Sequence, residues 1–256
     1  MTHAERQAAL EVIATEVRAC TRCKLASTRT NAVPGEGSPD TEVVFVGEGP
    51  GFHEDRLGRP FVGRAGDLLV KLLGSVEWRR QDVFITNIVK CRPPDNRDPE
   101  PDEIAACAPY LQRQLEVLDP AVIVTLGRHS MGRFMPGARI SQSHGTVAPA
   151  DPTTGAADAT VFAMYHPAAA LRTPAIERES YDDIGGVPRA LLAARARREA
   201  NRSAVPAAVP VAVPGAGGAE PPTDAPATLV ASAVTTSSAG HSPESESAPN
   251  PDLTFF

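Results

Sequence analysis

EVVFVGEGPG, residues 42–51, runs from a nearly unbroken β-branched apolar segment into a turn made of glycine and proline. A short apolar run with no polar alternation, stopped by turn residues, is the pattern of a strand covered on both faces. Three more runs of the same kind follow: VFITNIV (83–89), AVIVTL (121–126) and TVFAMY (160–165). Between them the apolar period changes to that of a helix. Residues 64–76 carry Leu68, Leu69, Leu72 and Leu73, and residues 101–118 line up Ile104, Cys107, Ala108, Leu111, Leu115 and Leu118. Pro99 and Pro101 stand at the start of the second stretch, with Asp102 and Glu103 in its first turn, where the helix dipole favours negative charge. Strands alternating with helices predict an α/β domain. Its form should be a three-layer α/β/α sandwich around a central, mainly parallel four-stranded sheet.

The chain has 256 residues, so it holds one sizeable domain and an appendage. The composition changes near residue 200, where Ala, Pro, Ser, Thr and Val take over. From Arg202 to Leu253 there is no aromatic residue, and repeated prolines interrupt helix and sheet alike. Residues 1–200 are therefore expected to form the folded domain and 201–250 a disordered linker. Residues 251–256, PDLTFF, end the chain with three large apolar side chains, Leu253, Phe255 and Phe256. The formal charge of −6 is uneven: residues 203–256 hold five acids and no Lys or Arg, which leaves 26 acids against 25 bases in the rest. The folded part is nearly neutral, so net acidity does not exclude an anionic partner. No apolar run approaches the roughly 20 residues of a membrane span, and the charged N-terminus does not read as a signal peptide. A monomeric protein of the cytosol, with no membrane partner, is the expectation.

Ligands of such sheets bind at the carboxyl ends of the strands, and the chemically distinctive residues fall there. The first strand leads into Glu48, Gly49 and Glu54, and then into GRPFVGRAG (58–66), which contains Phe61 and Arg64. The second delivers Asn87, followed by Lys90 and Arg92; the fourth delivers His166 and, six residues on, Arg172. A carboxylate, an amide and an imidazole would then face one crevice. The remaining histidines, His129 among them, read as structural or solvated.

Cys20 and Cys23 form a Cys-x2-Cys pair, and Cys91 and Cys107 are separated by fifteen residues. In a chain that is not exported, four cysteines argue for a metal centre rather than disulfides. Four thiolates suit Zn²⁺ or an iron–sulfur cluster, and spacing does not choose between them.

Together GEGPGFHED (47–55), GRPFVGRAG (58–66), TNIVKCRPPDNR (86–97), HPAAALR (166–172) and the four cysteines resemble the family 4 uracil-DNA glycosylases, from about Cys20 to about Arg172. The resemblance implies a monofunctional DNA repair glycosylase that hydrolyses the N-glycosidic bond of uracil. It also implies a [4Fe–4S] cluster, with zinc the less favoured metal, held by Cys20, Cys23, Cys91 and Cys107. Phe61 would stack on a flipped base and Asn87 would read it. Glu54 would exclude the thymine methyl, and His166 would stabilise the departing uracil anion. Glu48 and Gly49 would complete the pocket; a better-known branch carries an aspartate at the place of Gly49, so the group that positions the attacking water stays open. Arg64, Lys90, Arg92, Arg97 and Arg172 are candidates for DNA phosphates. CRPPDNRDPEPDEIAAC (91–107) lacks the inserted histidine loop of a branch that traps its product covalently, which implies turnover. The final DLTFF resembles the peptides that dock on the bacterial sliding clamp. The competing reading is a non-enzymatic, metal-scaffolded DNA-binding module.

Overall fold

The computed structural model describes residues 1–156 and 158–204. Six strands form one sheet: β1 (Glu36–Gly37), β2 (Val43–Gly47), β3 (Phe84–Asn87), β4 (Val122–Leu126), β5 (Val147–Pro149) and β6 (Thr160–Met164). Their order is β1-β3-β2-β4-β6-β5. The four central strands are parallel, as their continuous apolar sequences require, and β1 and β5 add antiparallel edges. The four-stranded expectation is corrected to six. The added edges are two and three residues long, too short for periodicity to show them.

Nine helices accompany the sheet among the described residues: α1 (His3–Ala19), α2 (Phe52–Leu57), α3 (Arg64–Ser75), α4 (Pro101–Leu118), α5 (Arg128–Phe134), α6 (Ile140–Ser143), α7 (Pro167–Ala170), α8 (Pro174–Ile184) and α9 (Val187–Ala204). Alternate strand residues feed opposite layers. Val44, Val46, Ile123 and Val161 pack with Leu10, Ile13 and Val17 of α1 and with Leu111, Leu115 and Leu118 of α4. Val43, Phe45, Val122, Val124 and Met164 pack on the other side with Leu68, Leu69, Leu72 and Leu73 of α3 and with Val187 and Leu191 of α9. A sheet with two apolar faces needs both covers, which makes three layers. The α9 helix continues to Ala204, past the expected domain end at 200. The rest of the expected linker and the terminal peptide with Leu253, Phe255 and Phe256 lie outside the described residues. No described helix is long and apolar enough to cross a membrane.

The topology positions the site. From β2 the chain moves to one side to form β3 and then to the other to form β4. The carboxyl ends of β2 and β4 therefore flank the switch point, where open α/β sheets leave a crevice.

Candidate active site and cysteine centre

Gly47 ends β2 directly opposite Asn87, the last residue of β3. A Cβ at Gly47 would lie 2.4 Å from Asn87 Oδ1 and 2.6 Å from Phe61 Cζ, so only glycine allows the amide and the ring to close over the strand end. Asn87 is almost fully buried, yet its Oδ1 accepts no hydrogen bond. An orphaned buried acceptor costs about 1–3 kcal/mol. That cost is tolerated where a ligand supplies the missing donor.

Phe61 has a φ of 48°, a left-handed conformation that is strained for a bulky residue. Its neighbours leave it no alternative. Glu54 Oε1 accepts the backbone N–H groups of Val62 and Gly63, both at 2.9 Å, and Arg80 Nη1 donates to Phe61 O at 2.9 Å. The ring is buried against the α3 side of the core and stands 5.7 Å, centroid to centroid, from His166. Phe61 is thus a core residue that also borders the Asn87 amide. Glu54 acts visibly as the clamp of the Phe61 loop.

His166 follows β6 and caps α7: the Ala168 N–H donates to its Nδ1 at 3.1 Å. With Nδ1 accepting, the ring proton resides on Nε2, which makes Nε2–H a free donor. Gly127, at φ 89°, permits the close approach of β4, since a Cβ there would sit 2.9 Å from His166 Cβ. Burial lowers the His166 pKa to about 4; Glu54 pulls it upward and Arg172 pushes it further down. The imidazole is neutral at neutral pH. Because its folded pKa lies below the ordinary 6.5, the unfolded chain binds the extra proton between about pH 6.5 and 4, and stability falls as pH drops through that window. His166→Gln should flatten the slope there by up to about 1.4 kcal/mol per pH unit in denaturant titrations run at several pH values.

Glu48 sits at the switch point. Its carboxylate lies 3.9 Å from His129 Nε2, on the first turn of α5, and His129 is 3.2 Å from Asp98. Arg128 also pairs with Asp98. Burial raises the Glu48 pKa, with Asp98 reinforcing the shift and His129 and Arg128 opposing it. His129 was expected to be structural or solvated; the fold instead places it beside Glu48. Its signal was its position just after AVIVTLG, at the carboxyl end of a central strand. A Cβ at Gly49 would stand 2.8 Å from Val89 Cγ2, so a side chain there requires that methyl to shift.

Among the basic candidates Lys90 is corrected, and Arg97 is already ion-paired. Lys90 is fully buried, and its ammonium donates to Thr86 Oγ1 (2.5 Å), Asn87 O (2.9 Å) and Gln114 Oε1 (2.7 Å), which leaves no donor for a phosphate. Arg97 is held by the buried Glu103 carboxylate at 2.6 and 2.9 Å, an ion pair that secures the start of α4. Arg64 and Arg172 are exposed, and Arg92 is half-buried, lying 5.3 Å above the Phe52 ring.

The four cysteines are free thiols around one pocket, whose lining also includes Val17, Lys90 and Tyr110. Donors already point at three sulfurs: Arg22 N–H to Cys20 (3.5 Å), Arg29 Nη1 to Cys91 (3.1 Å) and Lys90 N–H to Cys107 (3.2 Å). Burial raises the Cys91 thiol pKa and pushes Cys107 up to about 11. One buried and three half-buried thiols, three of them met by N–H donors, suit a bound metal, which would take them as thiolates. The set brings α1, the loop after β3 and α4 to one point.

Comparison with known proteins identifies the family. The family model described as the uracil DNA glycosylase superfamily matches residues 34–184, more than half of the chain. The type-4 uracil-DNA glycosylase of Saccharolobus solfataricus is 50% identical over 186 residues, covering 71% of this chain and 86% of that protein. The type-4 enzyme of Thermotoga maritima is 47% identical over 65% of this chain and 85% of its own length. A type-5 uracil-DNA glycosylase of Thermus thermophilus matches less: 37% identity over 38% of this chain and half of its own. With its strand ends, histidine cap and four gathered cysteines in place, the chain belongs to the uracil-DNA glycosylase superfamily, within the type-4 family.

Proposed function

We propose that this protein is a monofunctional glycosylase that hydrolyses the bond between uracil and deoxyribose in DNA, acting on a base swung out of the helix. The observation that carries the reading is the unpartnered Oδ1 of Asn87, buried beside Phe61. Uracil N3–H supplies the donor that this oxygen lacks, and the amide nitrogen answers uracil O4. Cytosine presents the reverse pattern at both positions, and a site built for one pattern can reject the other by about 10⁴–10⁵. Phe61 offers a stacking face worth about 1–3 kcal/mol against the cost of unstacking. The Glu54 clamp fixes that face and limits space near C5, where thymine carries its methyl.

As the glycosidic bond breaks, negative charge collects on uracil O2. The Nε2–H of His166, held by the Ala168 N–H on the opposite ring nitrogen, is a preorganised donor for that charge. A neutral imidazole suits a donor that need not surrender its proton. Glu48, with His129 behind it, is the carboxylate nearest the switch point and is suited to orient the water that captures the sugar. Arg64, Arg92 and Arg172 are the cations available for backbone phosphates.

The donor set fits a [4Fe–4S] cluster held by Cys20, Cys23, Cys91 and Cys107, which supplies a structural cross-link rather than a step in the hydrolysis. An absorbance band at about 400 nm, absent from a zinc protein, identifies it.

The test is release of uracil from single- and double-stranded oligonucleotides, with thymine- and cytosine-containing controls. Uracil should be released and the controls left intact, with Asn87→Ala slower by about 10²–10⁴-fold. Wild-type protein that binds these oligonucleotides without releasing uracil overturns the reading.

A further inference from the structure

Lys90 is the one basic candidate whose side chain turns inward, and it touches both centres. Its backbone N–H donates to Cys107 Sγ at 3.2 Å, and its neighbour Cys91 is a second of the four gathered thiols. Its ammonium, at the other end, donates to the main-chain carbonyl of Asn87 at 2.9 Å. The remaining two donors are taken by Thr86 Oγ1 and Gln114 Oε1. Those partners are themselves anchored, because Thr86 Oγ1 and Gln114 Nε2 both donate to Pro34 O, at 3.0 and 2.7 Å. Lys90 O accepts from Val33 N at 2.7 Å, so the residue is fixed at its carbonyl, its amide and its side-chain tip.

Burying an ammonium with no carboxylate among its partners is costly. Packing alone would be served as well by methionine or leucine, since well-packed apolar replacements of buried charges are often neutral or stabilising. What the ammonium provides that an apolar chain does not is a directional hold on the Asn87 carbonyl. That carbonyl belongs to the last residue of β3; the next two amides, Ile88 N and Val89 N, still donate to Gly47 O (3.0 Å) and Glu48 O (3.1 Å), and the ammonium holds the Asn87 carbonyl itself.

We infer that Lys90 is a positioning residue, a buried strut between the four-cysteine centre and Asn87 that holds the base-reading amide in register with that centre. The inference rests on the proposed role of Asn87 and adds the means by which a metal centre remote from the reacting bond acts on recognition. A positioning partner of this kind typically contributes 10–100-fold, about the scale known for groups that orient metal ligands.

The experiment is a double-mutant cycle on metal-loaded protein with Lys90→Met and Asn87→Ala. Lys90→Met should keep the absorbance at about 400 nm, because its bond to Cys107 comes from the backbone. It should lower kcat/KM for uracil release by about 10–100-fold and weaken calorimetric binding of free uracil in proportion. In the Asn87→Ala background the same change should cost less than about threefold, because a residue acting through Asn87 loses its effect when the amide is gone. Additive losses, or unchanged free-uracil affinity in Lys90→Met, overturn the strut. If wild type releases no uracil, the functional reading fails instead, which is a distinct outcome. Should Lys90→Met fold poorly, Lys90→Met with Gln114→Leu gives an apolar plug, and the same cycle decides.

Discussion

His166→Ala is expected to lower the rate of uracil release by about 10²–10³-fold while leaving KM nearly unchanged. The split follows from when the interaction forms. In the bound substrate, O2 of uracil is a neutral carbonyl and the Nε2–H bond to it is ordinary. In the transition state that oxygen carries developing charge, and a donor already aimed by the Ala168 N–H strengthens without reorganisation. Single-turnover kinetics separate the two parameters. Equal effects on binding and chemistry would mean that His166 serves only to hold the base. The depressed pKa adds a second expectation: with the imidazole neutral above about pH 4, no loss of activity on its account should appear between pH 6 and 8.

Cys91→Ser should have the largest effect on stability. Cys91 is the most buried of the four thiols, and Arg29 Nη1 donates to it at 3.1 Å. Losing a ligand of the proposed centre removes the cross-link it would make between α1, the loop after β3 and α4. Metal loss is among the few single-site effects that exceed about 4 kcal/mol. For a domain of this size that corresponds to a fall in melting temperature of about 8–16 °C. With the proposed cluster bound in the wild type, iron content should fall in the variant, and limited proteolysis should open the segment around Cys20 and Cys23 first. Retained iron with unchanged melting would remove Cys91 from the ligand set. Some order should persist in α1, because Leu10, Ile13 and Val17 keep their apolar contacts with the core.

The two centres differ in how they were legible. Cys20 and Cys23 announce a chelate by spacing alone, whereas Cys91 and Cys107 join them only because α4 returns across the sheet. Asn87 and His166 could be found because one lies near the end of an apolar run and the other directly follows one, and strand ends in this fold class face the crevice. Lys90 could not be placed that way. It stands three residues past a strand end, among basic neighbours, in a residue type that is seldom fully buried; only the cage of Thr86, Asn87 and Gln114 shows which way it turns. The pairing of Arg97 is hidden for a related reason, since its buried partner Glu103 looks in sequence like one more acid in a helix's first turn. The position of His129 just after a strand hints at the crevice, but only the strand order places it beside Glu48.

The amino-acid sequence by itself determined the layer architecture, the parallel core and the helices that cover it, because those follow from apolar period and strand burial, which are local properties of the chain. It also carried the motifs that mark the family. Tertiary structure alone decided which charges point inward, which loop is clamped by Glu54 and which histidine meets Glu48. It also left the Asn87 oxygen without a partner. Those outcomes depend on side-chain direction and on strand order, and both come into being only when segments far apart in the chain are packed against one another.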